Sequence, residues 1–529
     1  MSTIASDTPA RMRLYAAAAF LASSCAVVYC AFFAGYPIDH DGAVMLQVGE
    51  IMRNGGVPYR DIIEITPPMA PVVHIVPVLI SELTPISLPV AFHLCVTLVL
   101  ALSCWQVWSL LGLWKPPFSS MRRLYFLSGW LLATVSLQLT LDYGQREHLF
   151  ALMLLPWLLC RIARYEDTRV PYSVAISLGI VASPCFLFKP FFLAVVIAIE
   201  FVLLMRSRNF RKLATLENAL LLCWGAAYFI YLMTLPQDAR QELFGLLIPL
   251  LAKHYNAYWG DFFHIQNILT YAWVVAVVAF AAAILRGRPA HVRFHALMLF
   301  LTVVFCAGAY WVQGKGWFYH QIPMRLAATA MLAFVLCSHQ LPIGYGGSAQ
   351  PKGLVVVLSG AILLCLPAAA FLISGIEYRI DRITYTNEMT AKIRQYAAPG
   401  EFVTFICTDV RRNYPAMIYA GVSLGSRYDV DFMIPMVYHG VESKPMQRIS
   451  YRSASEQTDE ERLYLKRKAE DIARFRPKLV AIDTEFGAQA LPAAFRLDQY
   501  LEDIGWRKSA LADYRYVENF CAFSLYVPK

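Results

Sequence analysis

The chain has 529 residues, of which 58% are hydrophobic and only 16% charged, with a mean hydropathy of +0.48. A soluble globular protein carries about 25% charge, so a soluble class is excluded. The net charge of +9 is no nucleic-acid signal: residues 376–529 hold 22 Lys/Arg against 21 Asp/Glu, which puts nearly all the excess in the apolar part.

Apolar runs recur along residues 1–375, each long enough to cross roughly 30 Å of hydrocarbon. Runs of this length read as helices, not as barrel strands. Eleven spans are expected, at 14–35, 88–113, 123–141, 148–164, 171–187, 190–205, 217–235, 268–285, 294–312, 321–340 and 354–374. The first is too long for a signal-peptide core and reads as a retained helix. One alternating set of connections holds sixteen Lys/Arg, among them Arg122, Arg123, Arg206, Arg208, Arg211 and Arg286, and the opposite set holds seven. By the positive-inside rule the N-terminus is cytoplasmic. An odd number of spans then puts the 36–87 loop and the C-terminal region on the outer side. The expected location is a bacterial inner membrane, with the C-terminal domain periplasmic.

The 36–87 loop is dense in polar residues. Asp39-His40-Asp41 precedes a stretch of helical periodicity from Asp41 to Met52, with Val44, Val48 and Ile51 on one face. Gly55-Gly56 is a helix-stop signal. Tyr59, Arg60, Asp61 and Glu64 come next, and Pro67-Pro68 opens a second stretch, Met69 to Leu83. Two interfacial helices are expected here. A carboxylate suits a general base that activates an acceptor hydroxyl. The same Asp39 and Asp41 also suit the cap and first turn of a helix, and the two readings are compatible.

Later outer loops carry Arg146-Glu147-His148; Lys253 with Tyr258 and Trp259; and Lys315 with Trp317, Tyr319 and His320. Arg325 falls inside an expected span, where a charge is costly and marks function. Lys189 precedes Pro190 between two tightly joined spans, and reads either as an interfacial cation or as part of a site. From about residue 376 the charge rises and the apolar runs shorten to strand length. Strands are expected at 401–407, 478–483 and 520–527, and helices at 387–396, 459–475 and 492–504, giving a small α/β domain. No internal repeat and no CxxC motif occurs, so no zinc or redox signature is present. Cys407 and Cys521 are either a disulfide or two thiols in neighbouring strands.

An acidic first outer loop, a short helix, a Gly-x-Pro turn and Pro67-Pro68 resemble the GT-C superfamily of polyprenyl-phosphosugar glycosyltransferases. The likeness is greatest to the aminoarabinose transferase and protein O-mannosyltransferase branch, and covers about residues 1–375. The resemblance implies a polytopic α-helical membrane fold, GT-C-like, with a C-terminal extracytoplasmic α/β domain at 376–529. It implies that Asp41, eleven residues before Met52, is the catalytic base. Asp39, Asp61 and Glu64 are alternative base or sugar-orienting carboxylates. Arg60, Arg146, Lys315, His320 and Arg325 are donor phosphate candidates, and Tyr59, Tyr258, Trp259, Trp317 and Tyr319 sugar- or acceptor-stacking candidates. The family pattern has a Lys before Pro-Pro; here Thr66 stands there, so that phosphate contact must come from elsewhere. The implied partners are a polyprenyl-phosphate sugar donor, membrane lipid and an acceptor hydroxyl on an envelope glycan, glycolipid or protein. No cofactor is required, and a divalent metal shared by Asp39 and Asp41 is left open. The alternatives are a lipid-linked saccharide transporter, for which repeated halves and charges at the bilayer midplane would be expected, and a ligase using a polyprenyl-diphosphate donor.

Overall fold

The structure is a computed structural model, and it describes the chain except residues 1–7, 115–116, 255–259, 339–354, 356–357, 366–375, 439–450 and 486–494. The chain divides into two compact units. One comprises residues 1–36, 92–228 and 260–381; the other comprises 37–91, 229–259 and 382–529.

The helices in chain order are α1 (Thr8–Phe32), α2 (His40–Arg53), α3 (Met69–Leu83), α4 (Leu88–Leu113), α5 (Ser120–Leu139), α6 (Arg146–Tyr165), α7 (Tyr172–Phe186), α8 (Pro190–Ser207), α9 (Leu216–Thr234), α10 (Gln237–Arg240), α11 (Ile248–His254), α12 (Ile265–Leu285), α13 (Ala290–Gln313) and α14 (Ile322–Ser338). Among the described residues, eight helices are long and apolar enough to cross a membrane. Ten of the eleven expected spans are helices, α5 and the 15-residue α7 being less apolar or shorter than the rest. The eleventh, 354–374, lies largely outside the described residues.

In the first unit α1 packs on α5, and α14 lies against α5, α6, α12 and α13. The apolar stretches of α6 and α14 are 94% and 89% buried, whereas that of α9 is 6% buried. Lipid is as apolar as Leu, so the outer helices keep their side chains exposed without cost. Two helices that carry buried charge, α6 from Arg146 and α14 with Arg325, are enclosed by protein. An intramembrane charge is tolerated in that position because protein groups solvate it.

The second unit joins residues 37–91 and 229–259 to the C-terminal residues 382–529. Its sheet has the order β2-β1-β3-β5-β4, built from β1 (Phe402–Ile406), β2 (Ser423–Leu424), β3 (Leu479–Asp483), β4 (Tyr514–Phe520) and β5 (Phe523–Pro528). β1 pairs in parallel with β2 and β3, and β5 is antiparallel to both β3 and β4. The expected strand at 520–527 is thus the turn and second arm of a hairpin. The helix Asp459–Phe475 starts on a capping box in which Thr458 and Glu461 bond each other's backbone N–H. The core of this unit runs from Tyr59 and Ile63 through Leu247 and Leu250 to Ile406, Phe432, Tyr464 and Ile482. Cys407 is buried and Cys521 exposed, and both are free thiols.

Candidate functional site

Each unit carries a polar constellation built from residues that the sequence singles out. In the second unit α2 begins as its sequence dictates. Asp39 is the N-cap, its Oδ2 accepting from the backbone N–H of Asp41 at 2.8 Å and of Gly42 at 3.2 Å. At the other end Gly55, at φ +88°, and Gly56 donate to the carbonyls of Met52 and Ile51. This is the paired closure of a Schellman motif, and it needs the left-handed conformation that glycine adopts without strain.

The cap places His40 between the two carboxylates. Its Nδ1 lies 3.0 Å from Asp39 Oδ1 and its Nε2 3.6 Å from Asp41 Oδ1. Burial works against the imidazolium, but the charge and hydrogen bond of Asp39 and the charge of Asp41 outweigh it and hold His40 up to about 9. Ligand atoms of Asp39, His40 and Asp41 all lie within 4.8 Å of one another. The spacing is compact enough for a metal ion, yet a protonated His40 already supplies a positive charge between the carboxylates. Both oxygens of Asp39 are engaged, one by the cap and one by His40. Asp41, in the first turn, faces the other ring nitrogen of His40.

The other predicted residues of this loop have mainly structural partners. Asp61 accepts from the Val57 N–H at 2.9 Å and pairs with the exposed Arg60 at 2.9 Å. Arg60 therefore sits on the surface of the second unit, whereas Arg146, Lys315, His320 and Arg325 belong to the first. Tyr59 is buried in the core at φ +67°. Its ring is covered, so it offers no open stacking face. Glu64 is buried and its Oε1 accepts from the Thr66 N–H at 2.9 Å. Tyr258 and Trp259 lie outside the described residues.

In the first unit the structure brings three of the predicted cation-site residues, Arg146, Lys315 and His320, together around Lys189, while Arg325 lies by the Phe318 ring and Asp142. Lys189 is the residue before Pro190 at the start of α8, and Glu147 is in the first turn of α6. The Lys189 ammonium pairs with Glu147 Oε1 and lies 3.2 Å from His320 Nε2 and 3.3 Å from Gln313 Oε1. His320 Nε2 is also 3.4 Å from Glu147 Oε1. Arg146, Lys315, His320 and Arg325 are all buried, and the charges of Lys189, Arg146 and Lys315 act on His320. Burial and the neighbouring Lys189 lower Lys315 to about 8. Trp317 stacks on Tyr319 at 5.8 Å and both rings lie against His320. Arg325 sits 4.6 Å over the Phe318 ring.

Local backbone explains the position of Lys315. Gly314 ends α13 in the left-handed region, and the next glycine, Gly316, has φ +63°. The amide of Asn267 donates to the Gly316 carbonyl at 3.0 Å, and the Gly260 N–H donates to the Gly314 carbonyl at 3.0 Å. A β-carbon on Gly260 would lie 1.6 Å from the Lys315 carbonyl, so the two loop segments approach as closely as only glycine permits.

Arg146, Lys189 and Lys315 gather about His320 with Glu147 as the paired carboxylate, and the charge of Asp142 acts on Arg325. The surplus positive charge sits at the N-terminal ends of α6 and α8, where backbone dipoles add to it. Several buried polar atoms here have no protein partner: both amide atoms of Gln145, Glu147 Oε2, His148 Nε2 and His320 Nδ1. His148 Nδ1 accepts from the Gly144 N–H at 3.1 Å, so its Nε2 carries the hydrogen and is a donor. Buried donors without partners, such as Gln145 Nε2 and His148 Nε2, beside surplus cations are groups of the kind that can hold an anion. Lys189 and Gln313 are central to it. A single Lys before a Pro in a short connection carried too little signal to rank it above the other cations, and Gln313 reads in sequence as the first residue of a loop.

No protein-family model matches the chain, and no curated protein matches it in sequence. Among solved structures, ArnT from Cupriavidus metallidurans bound to undecaprenyl phosphate superposes with a TM-score of 0.57 at 11% identity, covering 96% of this chain and 97% of that one. The same protein in the apo state gives 0.56 at 12% identity, covering 97% and 98%. At this identity the likeness is one of fold, and it extends over both units, including the C-terminal α/β part that the sequence resemblance did not cover. The chain is thus a multi-pass membrane protein with a fold like that of ArnT, a bundle of apolar helices followed by a small α/β domain.

Proposed function

We propose that the protein is a membrane glycosyltransferase that moves a sugar from a polyprenyl-phosphate donor to an acceptor hydroxyl. The observation that carries the reading is the buried cationic cluster around Lys189, in a chain whose fold matches, end to end, a protein crystallised with undecaprenyl phosphate. A lipid phosphate is an anion that must be held at the membrane surface, and the cluster offers charge, helix N-termini and uncommitted donors for it. Lys189 and Lys315 take over the phosphate contact that Thr66 does not supply.

In this reading Asp41 removes the proton of the acceptor hydroxyl as its oxygen bonds to the anomeric carbon. The bond from that carbon to the phosphate oxygen breaks with its electron pair, and polyprenyl phosphate departs with the added negative charge. A leaving phosphate needs cations of the kind that Arg146, Lys189, Lys315 and Arg325 supply within the first unit. Displacement on the opposite face inverts the anomeric centre. No step requires a metal; a divalent ion at Asp39 and Asp41 would compete with His40 for the same carboxylates. Trp317 and Tyr319 offer the stacked aromatic surface for a sugar. The charge bias of the loops puts the N-terminus in the cytoplasm and the second unit outside it, in a bacterial inner membrane, where the acceptor is an envelope glycan, glycolipid or protein.

The test is release of polyprenyl phosphate from labelled polyprenyl-phosphate sugars by protein in detergent, comparing wild type with Asp41→Asn. A drop of about 10²–10⁴-fold is expected, the usual contribution of a general base, with unfolding temperature unchanged. Equal turnover in both proteins removes Asp41 from the role. Binding without turnover of any donor, together with movement of the lipid across proteoliposomes, would favour a transporter.

A further inference from the structure

Away from both constellations, the second unit encloses a group of oxygen atoms that the proposed transfer does not use. Glu64, before the Thr66-Pro67 turn, and Asp429, between β2 and the helix Met433–Tyr438, bring their carboxyls together. Glu64 is 8% exposed and Asp429 1%. The segments are fixed against each other: the Ile63 N–H donates to the Arg427 carbonyl at 2.6 Å, and the Asn413 amide donates to the Asp429 carbonyl at 3.0 Å.

The Asp429 carboxylate has backbone N–H groups of Val430 and of Asp429 itself beside it but no side-chain donor. Asn413 Oδ1 receives no hydrogen bond, and the Tyr414 hydroxyl has no partner. Asn413 and Tyr414 are 0% and 1% exposed. The charges of Asp429, Glu64 and Glu50 all act on the Tyr414 hydroxyl, which faces the same group. Among the described residues no Lys, Arg or His forms an ion pair with Glu64 or Asp429, although neighbouring acids are paired, as Asp431 with Lys468 at 2.7 Å and Asp471 with Arg427 at 2.9 Å. Two carboxyls cannot both stay ionised in a closed, low-dielectric place without a positive partner.

We infer that Glu64, Asp429 and the Asn413 side-chain carbonyl, with Tyr414 beside them, form a binding site for a hard divalent cation, Ca²⁺ in preference to Mg²⁺, that ties the first outer loop to the C-terminal domain. The donors are all oxygen, which does not suit Zn²⁺ or copper. Carboxylate and amide oxygens in irregular array fit Ca²⁺, whereas Mg²⁺ keeps a water shell that this enclosed place would have to strip. A single proton shared by the two carboxyls is the competing account: burial and the charge of Glu64 hold the Asp429 carboxyl well above the usual carboxylate range.

The inference is independent of glycosyl transfer, and so is its test. Full-length protein in detergent is stripped with EGTA, dialysed, and titrated with CaCl₂ or MgCl₂ alone, with bound metal measured by mass spectrometry and unfolding temperature by intrinsic fluorescence. The wild type is expected to bind Ca²⁺ stoichiometrically and to unfold several degrees higher at saturation, with a weaker response to Mg²⁺. Asp429→Asn and Asn413→Ala should lose binding at least tenfold, while Asp39→Asn retains it. A wild type that binds no Ca²⁺ overturns the site and leaves the shared proton, whether or not the variants fold. Retention in Asp429→Asn, or loss in Asp39→Asn in its place, moves the ion elsewhere and overturns it as well.

Discussion

At the scale of single residues, the group most sensitive to conditions is His40. Its unperturbed value near 6.5 is raised to about 9 between Asp39 and Asp41. A raised folded-state value means that the protonated form is bound more tightly by the folded protein. The stabilisation is fully present below about pH 6.5 and is lost as pH rises through about 9. His40 is largely shielded from solvent, so the contribution is of order 1–3 kcal/mol. Wild type should lose more stability between about pH 6 and pH 10 than His40→Gln, and thermal unfolding at several pH values measures it. Parallel pH profiles of the two proteins would mean that the imidazolium is not held as described. Asp39 links this electrostatics to the helix: as N-cap it orders the first turn of α2 and, through His40, fixes the neighbourhood of Asp41. The tripeptide was conspicuous in sequence. What it could not disclose was that the histidine lies between the carboxylates, since rotamers and burial decide that.

Among elements, the connection between α13 and α14 does most to place the cationic cluster. It carries Lys315, Trp317, Tyr319 and His320, and its shape depends on close backbone contact at Gly260 and on the positive φ of Gly314 and Gly316. Gly260→Ala puts a methyl group into the Lys315 carbonyl, and backbone cannot yield as a side chain end can. The loop must move, taking Lys315 with it. Affinity for undecaprenyl phosphate is expected to fall roughly tenfold or more, the cost of losing a charge-assisted contact, while the eight candidate spans still insert. Equilibrium binding in detergent, with circular dichroism for helix content, checks this; unchanged affinity would remove Lys315 from the phosphate site. The helix limits were legible because caps, prolines and glycines are local. α2 is found at His40–Arg53 where periodicity indicated Asp41 to Met52, and α3 matches Met69 to Leu83. The hairpin of β4 and β5 was half missed, because Tyr514–Phe520 alternates exposed and half-buried residues at the sheet edge and carries little apolar signal.

For the molecule as a whole, residues 382–529 and the loop 37–91 fold as one unit, not as a membrane domain's loop beside a detachable appendage. Tyr59 and Ile63 of the loop are buried with Tyr428, Phe432 and Met433 of the C-terminal region, and burial of such side chains is worth about 1.5–3 kcal/mol each. The Ile38 N–H reaches the Tyr419 hydroxyl at 3.1 Å, and Arg467 pairs with Glu242 at 2.7 Å. A chain ending after residue 381 should therefore lose more than its last domain. Protease sites within 37–91 should become accessible, and size-exclusion chromatography should show aggregation. A monodisperse truncated protein with a protease-resistant loop would contradict this.

The sequence by itself determined the features that local chemistry and solvent impose. Long apolar runs make membrane helices because their backbone groups must be satisfied internally, and an Asp before a periodic stretch caps a helix. It also marked Arg146, Lys315, His320 and Arg325 as misplaced charges in an apolar chain. Tertiary structure alone decided which of those charges meet. The residues of the cationic cluster lie up to about 180 positions apart in the chain, and Lys189 joins them only because α6, α8 and α14 pack together. The meeting of Glu64 with Asp429 is of the same kind. Such contacts depend on helix packing and on which groups are removed from water, and neither quantity is written in any short stretch of residues.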